Sequence, residues 1–271
     1  MQRVDVFKIP MSGPADVSGL ERRIANGAIA PQDIVAIMGK TEGNGCVNDF
    51  TREYATATLA GFLGRHLKLA ADEVEQRIAF VMSGGTEGVL SPHITVFTRM
   101  QSGVTPTGQK RLALGIAATR EFLPEEIGRD AQIVETQKAV EVAMLDAEIS
   151  NAADVHFVQI KCPLLTAERI RDARDRAQSV VTEDTYGSMG YSRGASALGV
   201  ALALHEIDHR RIPAAKAVLH DWSQYSAVAS TSAGIELMRN VIILMGNSRR
   251  SNSPYTIGHA VMQDAIDIEA V

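Results

Sequence analysis

Cysteine is almost missing from this sequence. The two that occur, Cys46 and Cys162, lie far apart, so they compose neither a disulfide framework nor a metal-binding cysteine cluster. Their scarcity points to a reduced, cytoplasmic setting. No apolar run approaches the roughly 20 residues of a membrane span. The N-terminus, Met1-Gln2-Arg3-Val4-Asp5, lacks the apolar stretch of a secretion signal. An excess of positive charge is missing as well: a formal net charge of −5 gives no electrostatic reason to expect a nucleic acid partner. The local cluster Arg169, Arg171, Arg174 and Arg176 alternates with Glu168, Asp172 and Asp175 and reads as a solvated helix face. His93, His156 and His259 are scattered without ligand spacing, so no metal role is expected of them.

What is present is an ordinary globular composition, 45% hydrophobic and 22% charged. At roughly 100–200 residues per domain, the chain accommodates about two or three units. Strand and helix patterns alternate along it. Val4–Ile9 predicts a strand and Val17–Asn26 a helix closed by Gly27. Asp33–Met38 predicts a buried strand ending on Gly39-Lys40, and Asp49–Leu67 a helix with Asp49 or Thr51 at its start. Ile78–Met82 and Ile94–Thr98 predict two further strands. Gly103, Pro106 and Gly108 then mark a linker.

Beyond the linker the pattern restarts. Arg111–Ala118 predicts a strand, Thr136–Ala147 a helix, and Val155–Ile160 a strand ending on Lys161. Arg193–Leu204 predicts a helix, with strands at Ala227–Thr231 and Val241–Met245. Lys40, Arg52, Ser83 and Glu87 correspond in order to Lys161, Arg193, Ser232 and Glu236, at unequal offsets. That order predicts an internal duplication of an α/β unit, residues 1–103 and 111–250. Tyr255–Val261 reads as the opening strand of a third copy, over 254–271, and Asp264–Val271 as the start of its helix. The expectation is that this third unit is truncated here.

Chemistry gathers at the strand ends. Ser83-Gly84-Gly85-Thr86-Glu87-Gly88 presents a hydroxyl with little cover, and backbone N–H groups in such a turn can face one oxygen. Ser232-Ala233-Gly234-Ile235-Glu236 repeats it. Lys40 and Lys161 each end an apolar strand, where a lysine near other cations loses pKa and can take a serine's proton. Arg52 and Arg193 are fixed cations suited to bidentate oxygen binding. Each feature also has an ordinary reading: a tight glycine turn, a snorkelling lysine, a surface arginine. Glu42, Asp49 and Glu53 read as capping or solvating groups.

Several segments resemble the signature stretches of the cyanuric acid amidohydrolase and barbiturase family. They are Met38–Gly45 (MGKTEGNG), Ser83–His93 (SGGTEGVLSPH), Lys161–Leu165 (KCPLL), Gly190–Ser196 (GYSRGAS) and Ser232–Leu237 (SAGIEL). The likeness spans the whole sequence and looks more like the cyanuric acid branch. It implies three similar α/β units in a pseudo-threefold arrangement around a central site, the third mostly missing here. It implies that Arg52 and Arg193 bind ring oxygens and that Ser83-Gly84 and Ser232-Ala233 contact the ring. It assigns Ser232 as nucleophile, Lys161 as its base, and Lys40 with Ser83 as the pair that holds and polarises the substrate. The implied reaction opens cyanuric acid to carboxybiuret, then biuret, without a cofactor; a structural divalent metal belongs to the third unit. A cyclic imide is the implied small-molecule partner, and a homo-oligomer, a tetramer, the implied assembly. Barbituric acid as substrate, a ring-binding fragment without catalysis, and a Ser-Lys amidase acting on other amides remain as alternatives.

Overall fold

Two four-stranded sheets with the same strand order carry the fold. The computed structural model of the chain describes all residues except 86–90, 102, 104–107, 209–217, 265 and 271. Two compact units result: Met1–Thr105 with Asn252–Pro254, and Pro106–Ser251 with Tyr255–Val271.

In the first unit β1 (Gln2–Pro10), β2 (Ile34–Lys40), β3 (Ala79–Ser83) and β4 (His93–Gln101) form a sheet of order β1-β4-β2-β3. β4 pairs antiparallel with both β1 and β2, whereas β2 and β3 are parallel. A parallel pair needs a long crossover. It is supplied by α2 (Thr51–Leu67) and α3 (Ala71–Arg77), which follow α1 (Ser18–Ala25) in the chain. β2 lies between two strands, and its run IVAIM suits a strand flanked on both sides. Ala55, Leu59, Ala60 and Leu63 on α2 meet Ile34, Ile37, Ile78 and Ile94 in one apolar core. α2 stops at Lys68, whose left-handed backbone (φ 58°) returns its N–H to the Gly64 carbonyl.

The second unit repeats this order with β5 (Arg111–Ala118), β6 (Val155–Pro163), β7 (Ala229–Gly234) and β8 (Val241–Ser248), arranged β5-β8-β6-β7. Here too the third and fourth strands in that order, β6 and β7, are parallel. α4 (Asp130–Asp146) packs on α6 (Thr185–Ala203), with α5 (Ala167–Asp175) before α6 in the chain. α6 is rich in small residues because α4 approaches it closely. A Cβ built on Gly199 comes within 2.7 Å of the Ile133 carbonyl oxygen.

Beneath that contact lies a polar seam in which Gln132, Thr136, Ser192, Ser196 and Asn240 are fully buried. Gln132 Nε2 donates to Ser192 Oγ (2.9 Å) and Ser196 Oγ (3.1 Å). Asn240 Nδ2 donates to Thr136 Oγ1 (2.7 Å) and Ser196 Oγ (3.0 Å). Buried polar groups joined this way rigidify a core, and stranding one of them is costly. Asn240→Ala removes donors to two buried hydroxyls and is expected to lower unfolding free energy by about 2–3 kcal/mol in urea denaturation.

Several expectations need correction. α6 begins at Thr185 rather than Arg193, because the Asp184 side chain accepts from the Tyr186 N–H and caps the helix there. Tyr255–Val261 is not a strand. Its Tyr255 carbonyl takes one bond from the Leu112 N–H, and Asn247 clamps both backbone groups of Ile257 through its side chain, so no ladder forms. The described residues within 264–271 are turns and bends, not a helix. Thr86, Glu87, Gly88 and Pro106, singled out above, lie outside the described residues, as does Val271. Among the described residues no helix is long and apolar enough to cross a membrane.

Candidate active site

The register of each parallel pair brings a lysine to a serine. In the first unit Lys40 is directly opposite Ser83 at the C-terminal ends of β2 and β3. Its Nζ donates to Ser83 Oγ at 3.1 Å. In the second unit Lys161 is opposite Ser232 on β6 and β7, with Nζ 3.4 Å from Oγ. These are the strand ends at which open α/β sheets commonly hold ligands. Both distances are within reach of proton transfer, allowing for the loose geometry of a site without substrate.

The first pair stands beside a loop held by a buried carboxylate. Asp49 Oδ2 accepts from the Gly45 N–H (2.9 Å), and Oδ1 accepts from the Thr51 N–H (3.0 Å) at the start of α2. Asp49 is not the N-cap, which is Phe50, but from one residue earlier it takes the first helical N–H; it is 4% exposed and fills the space beside Gly84. A Cβ on Gly84 falls 2.0 Å from Asp49 Oδ2 and 2.8 Å from the Gly45 backbone nitrogen, so any side chain here forces the 43–49 loop to move. The Gly85 N–H donates to the Gly43 carbonyl at 2.6 Å, which commits an amide that the sequence left open for an oxyanion. Arg52 is 2% exposed; its Nη2 donates to the Cys46 carbonyl at 2.9 Å, and its Nε is 3.9 Å from Asp49 Oδ2. It therefore braces the 43–49 loop.

In the second unit Lys161 is 1% exposed, the largest fully buried side chain among the described residues. Burial of that depth requires a partner for the ammonium. Glu236 provides it, with Oε1 3.0 Å from Lys161 Nζ and a side chain 18% exposed. The carboxylate folds back over Gly234, where a Cβ would lie 2.0 Å from Oε2. Arg169 pins the same loop by donating to the Leu164 carbonyl (2.6 Å) and the Ile235 carbonyl (2.7 Å). It is not the solvated residue that its charge pattern suggested, and burial pushes its guanidinium pKa down against the opposing pull of Glu236. Ala233 is buried beside Cys162 in the β6–β7 register. Arg193 is exposed on α6, its Nε donating to the Met189 carbonyl at 3.2 Å.

Cys162 is the other nucleophile near this pair. Burial pushes its thiol pKa up, and the Ser192 and Ser196 hydroxyls and the Lys161 charge only partly offset that. A protonated, buried thiol is inert, which leaves the hydroxyl as the reactive group. Among the described residues no three His, Cys, Asp or Glu side chains gather as a metal set. Sequence reasoning missed the Lys161–Glu236 ion pair and the Arg169 clamp. The available signal was that a lysine inside an apolar strand demands an anion, and Glu236 lies four residues beyond Ser232.

Residues 5–271 match the family described as amidohydrolase ring-opening protein, and the chain belongs to that family. It is accordingly a hydrolase. Among its relatives, a cyanuric acid amidohydrolase of Pseudomonas sp. (strain ADP) is 61% identical over 273 residues, covering 100% of this chain and 75% of that protein. A cyclic amide hydrolase of Azorhizobium caulinodans is 51% identical, over 99% of this chain and 73% of the relative. A solved cyanuric acid hydrolase superposes with a TM-score of 0.96 at 60% identity, covering all of this chain and 74% of the other.

Proposed function

We propose that the chain hydrolyses a cyclic imide, cyanuric acid, with Ser232 as nucleophile and Lys161 as its base. One observation carries this reading: a buried lysine Nζ 3.4 Å from a serine Oγ, on paired strand ends, with the competing thiol shut away. Ser232 Oγ attacks a ring carbonyl carbon while its proton passes to the Lys161 amine. The carbonyl oxygen becomes an oxyanion, which collapses to break the ring C–N bond. The leaving nitrogen takes the proton from Lys161. Water then attacks the acyl-serine, giving up a proton to Lys161, which returns it to Ser232 Oγ. The product is carboxybiuret, which loses carbon dioxide to give biuret. The family resemblance supports ring-holding roles for Lys40, Arg52, Ser83 and Gly84 of the first unit and for Arg193 and Ala233 of the second. The matching strand orders of the two units, each with its Lys–Ser pair, support their descent from tandem copies. Relatives named cyanuric acid amidohydrolase support the substrate.

Incubation with cyanuric acid and, separately, barbituric acid tests the reading. Biuret formation from the first, with no opening of the second, is the expected result. Opening of barbituric acid alone would move the protein to the other branch, and hydrolysis of linear amides alone would discard the cyclic substrate.

A further inference from the structure

We propose that Glu236 is a positioning residue for Lys161, one that holds its ammonium charged at rest and aims its Nζ at Ser232. The inference rests on the Ser–Lys reading above and extends the pair to three members. The Nζ stands 3.0 Å from Glu236 Oε1 and 3.4 Å from Ser232 Oγ, so one buried nitrogen is held between an anion and a hydroxyl. Glu236 can reach it only because Gly234 leaves room for the carboxylate against the strand end. Arg169, from α5, fixes the adjoining Ile235 carbonyl, so the carboxylate sits on a braced loop.

A carboxylate at this distance favours the charged form of the lysine, while burial favours the neutral amine. Among the described residues, the charged or titratable groups in this neighbourhood include Arg169 on α5, on which Glu236 acts, and Cys162 on β6, with Arg193 on α6 acting on that thiol. Lys161 can accept the Ser232 proton only after losing its own to solvent. The rate must therefore climb with pH as the ammonium deprotonates, and Glu236 sets where that climb lies.

The test is the pH–rate profile of Glu236→Gln and Glu236→Asp beside the unaltered protein, each first checked for an intact melting transition. Substrate titration is common to all three and drops out of the comparison. For Glu236→Gln the acid limb is expected to move down by about one pH unit or more, a roughly tenfold gain well below the midpoint in rate expressed relative to the variant's own plateau. The plateau should fall at the same time, because Nζ loses the carboxylate that fixes it beside Ser232. Glu236→Asp keeps the charge and loses the reach, so its limb should stay nearer the original while its plateau falls. An acid limb that does not move in Glu236→Gln, while Ser232→Ala and Lys161→Met are inactive, overturns this role alone. Turnover surviving in Ser232→Ala or Lys161→Met overturns the Ser–Lys reading itself.

Discussion

Ser232→Ala is expected to lower ring-opening turnover on the order of 10⁴-fold or more while leaving the melting temperature unchanged. Loss of a nucleophile removes the covalent route entirely, and the residual rate comes from binding and electrostatics alone. The fold should tolerate the change because Ser232 Oγ is a partner that Lys161 can lose: the ammonium keeps Glu236 at 3.0 Å. Ser83→Ala provides the control. Its hydroxyl occupies the equivalent register position opposite Lys40, at 3.1 Å, yet in the proposed mechanism it only holds the ring. That variant should raise KM more than it lowers kcat. Biuret release measured under saturating substrate separates the two. If Ser83→Ala were the dead variant and Ser232→Ala retained turnover, the roles of the two units would have to be exchanged.

The pairing of lysine with serine was legible because its ingredients are local. Lys40 and Lys161 end apolar runs, Ser83 and Ser232 close the apolar run of the very next strand in the chain, and the same punctuation occurs twice. Glycine at position 84 was legible as a turn, but its reason was not, since the Asp49 carboxylate beside it arrives from a different loop. The failures share a cause: they concern where a long side chain turns. Arg169 and Arg174 belong to one charged stretch. The structure nevertheless puts Arg169 on two carbonyls and pairs Arg174 with Glu183 at the surface. Helical periodicity assigns a face, not a partner. Glu236 was visible as a repeated landmark, yet its contact with Lys161 joins the end of one strand to the loop after another. The strand expected over 255–261 failed for a different reason. A strand-like run of residues does not by itself supply an edge to pair with, and this segment is held by the Leu112 N–H and by the Asn247 side chain rather than by a ladder.

Lys161→Met is expected to yield a stable and inactive protein. Lys161 is 1% exposed, so its charge has been taken out of water at a cost that contacts such as those with Glu236 and Ser232 offset. Methionine is unbranched and of similar length, so it can fill the channel without leaving a large cavity. The penalty to fear is an orphaned carboxylate, because removing one member of a buried ion pair commonly costs about 3–5 kcal/mol. That figure does not transfer here. The Glu236 side chain is already 18% exposed and can turn outward to water, whereas Lys161 cannot. Unfolding free energy should therefore change by less than about 2 kcal/mol in either direction. Turnover should nonetheless fall on the order of 10³-fold or more, since no other described side chain is bonded to Ser232 Oγ in a position to take its proton. Lys161→Ala provides the contrast: it opens a cavity at the same place and should lose stability as well as turnover. Thermal melts alongside biuret release distinguish the outcomes. A methionine variant that melts normally and still turns over within tenfold of the parent would remove Lys161 from the chemistry.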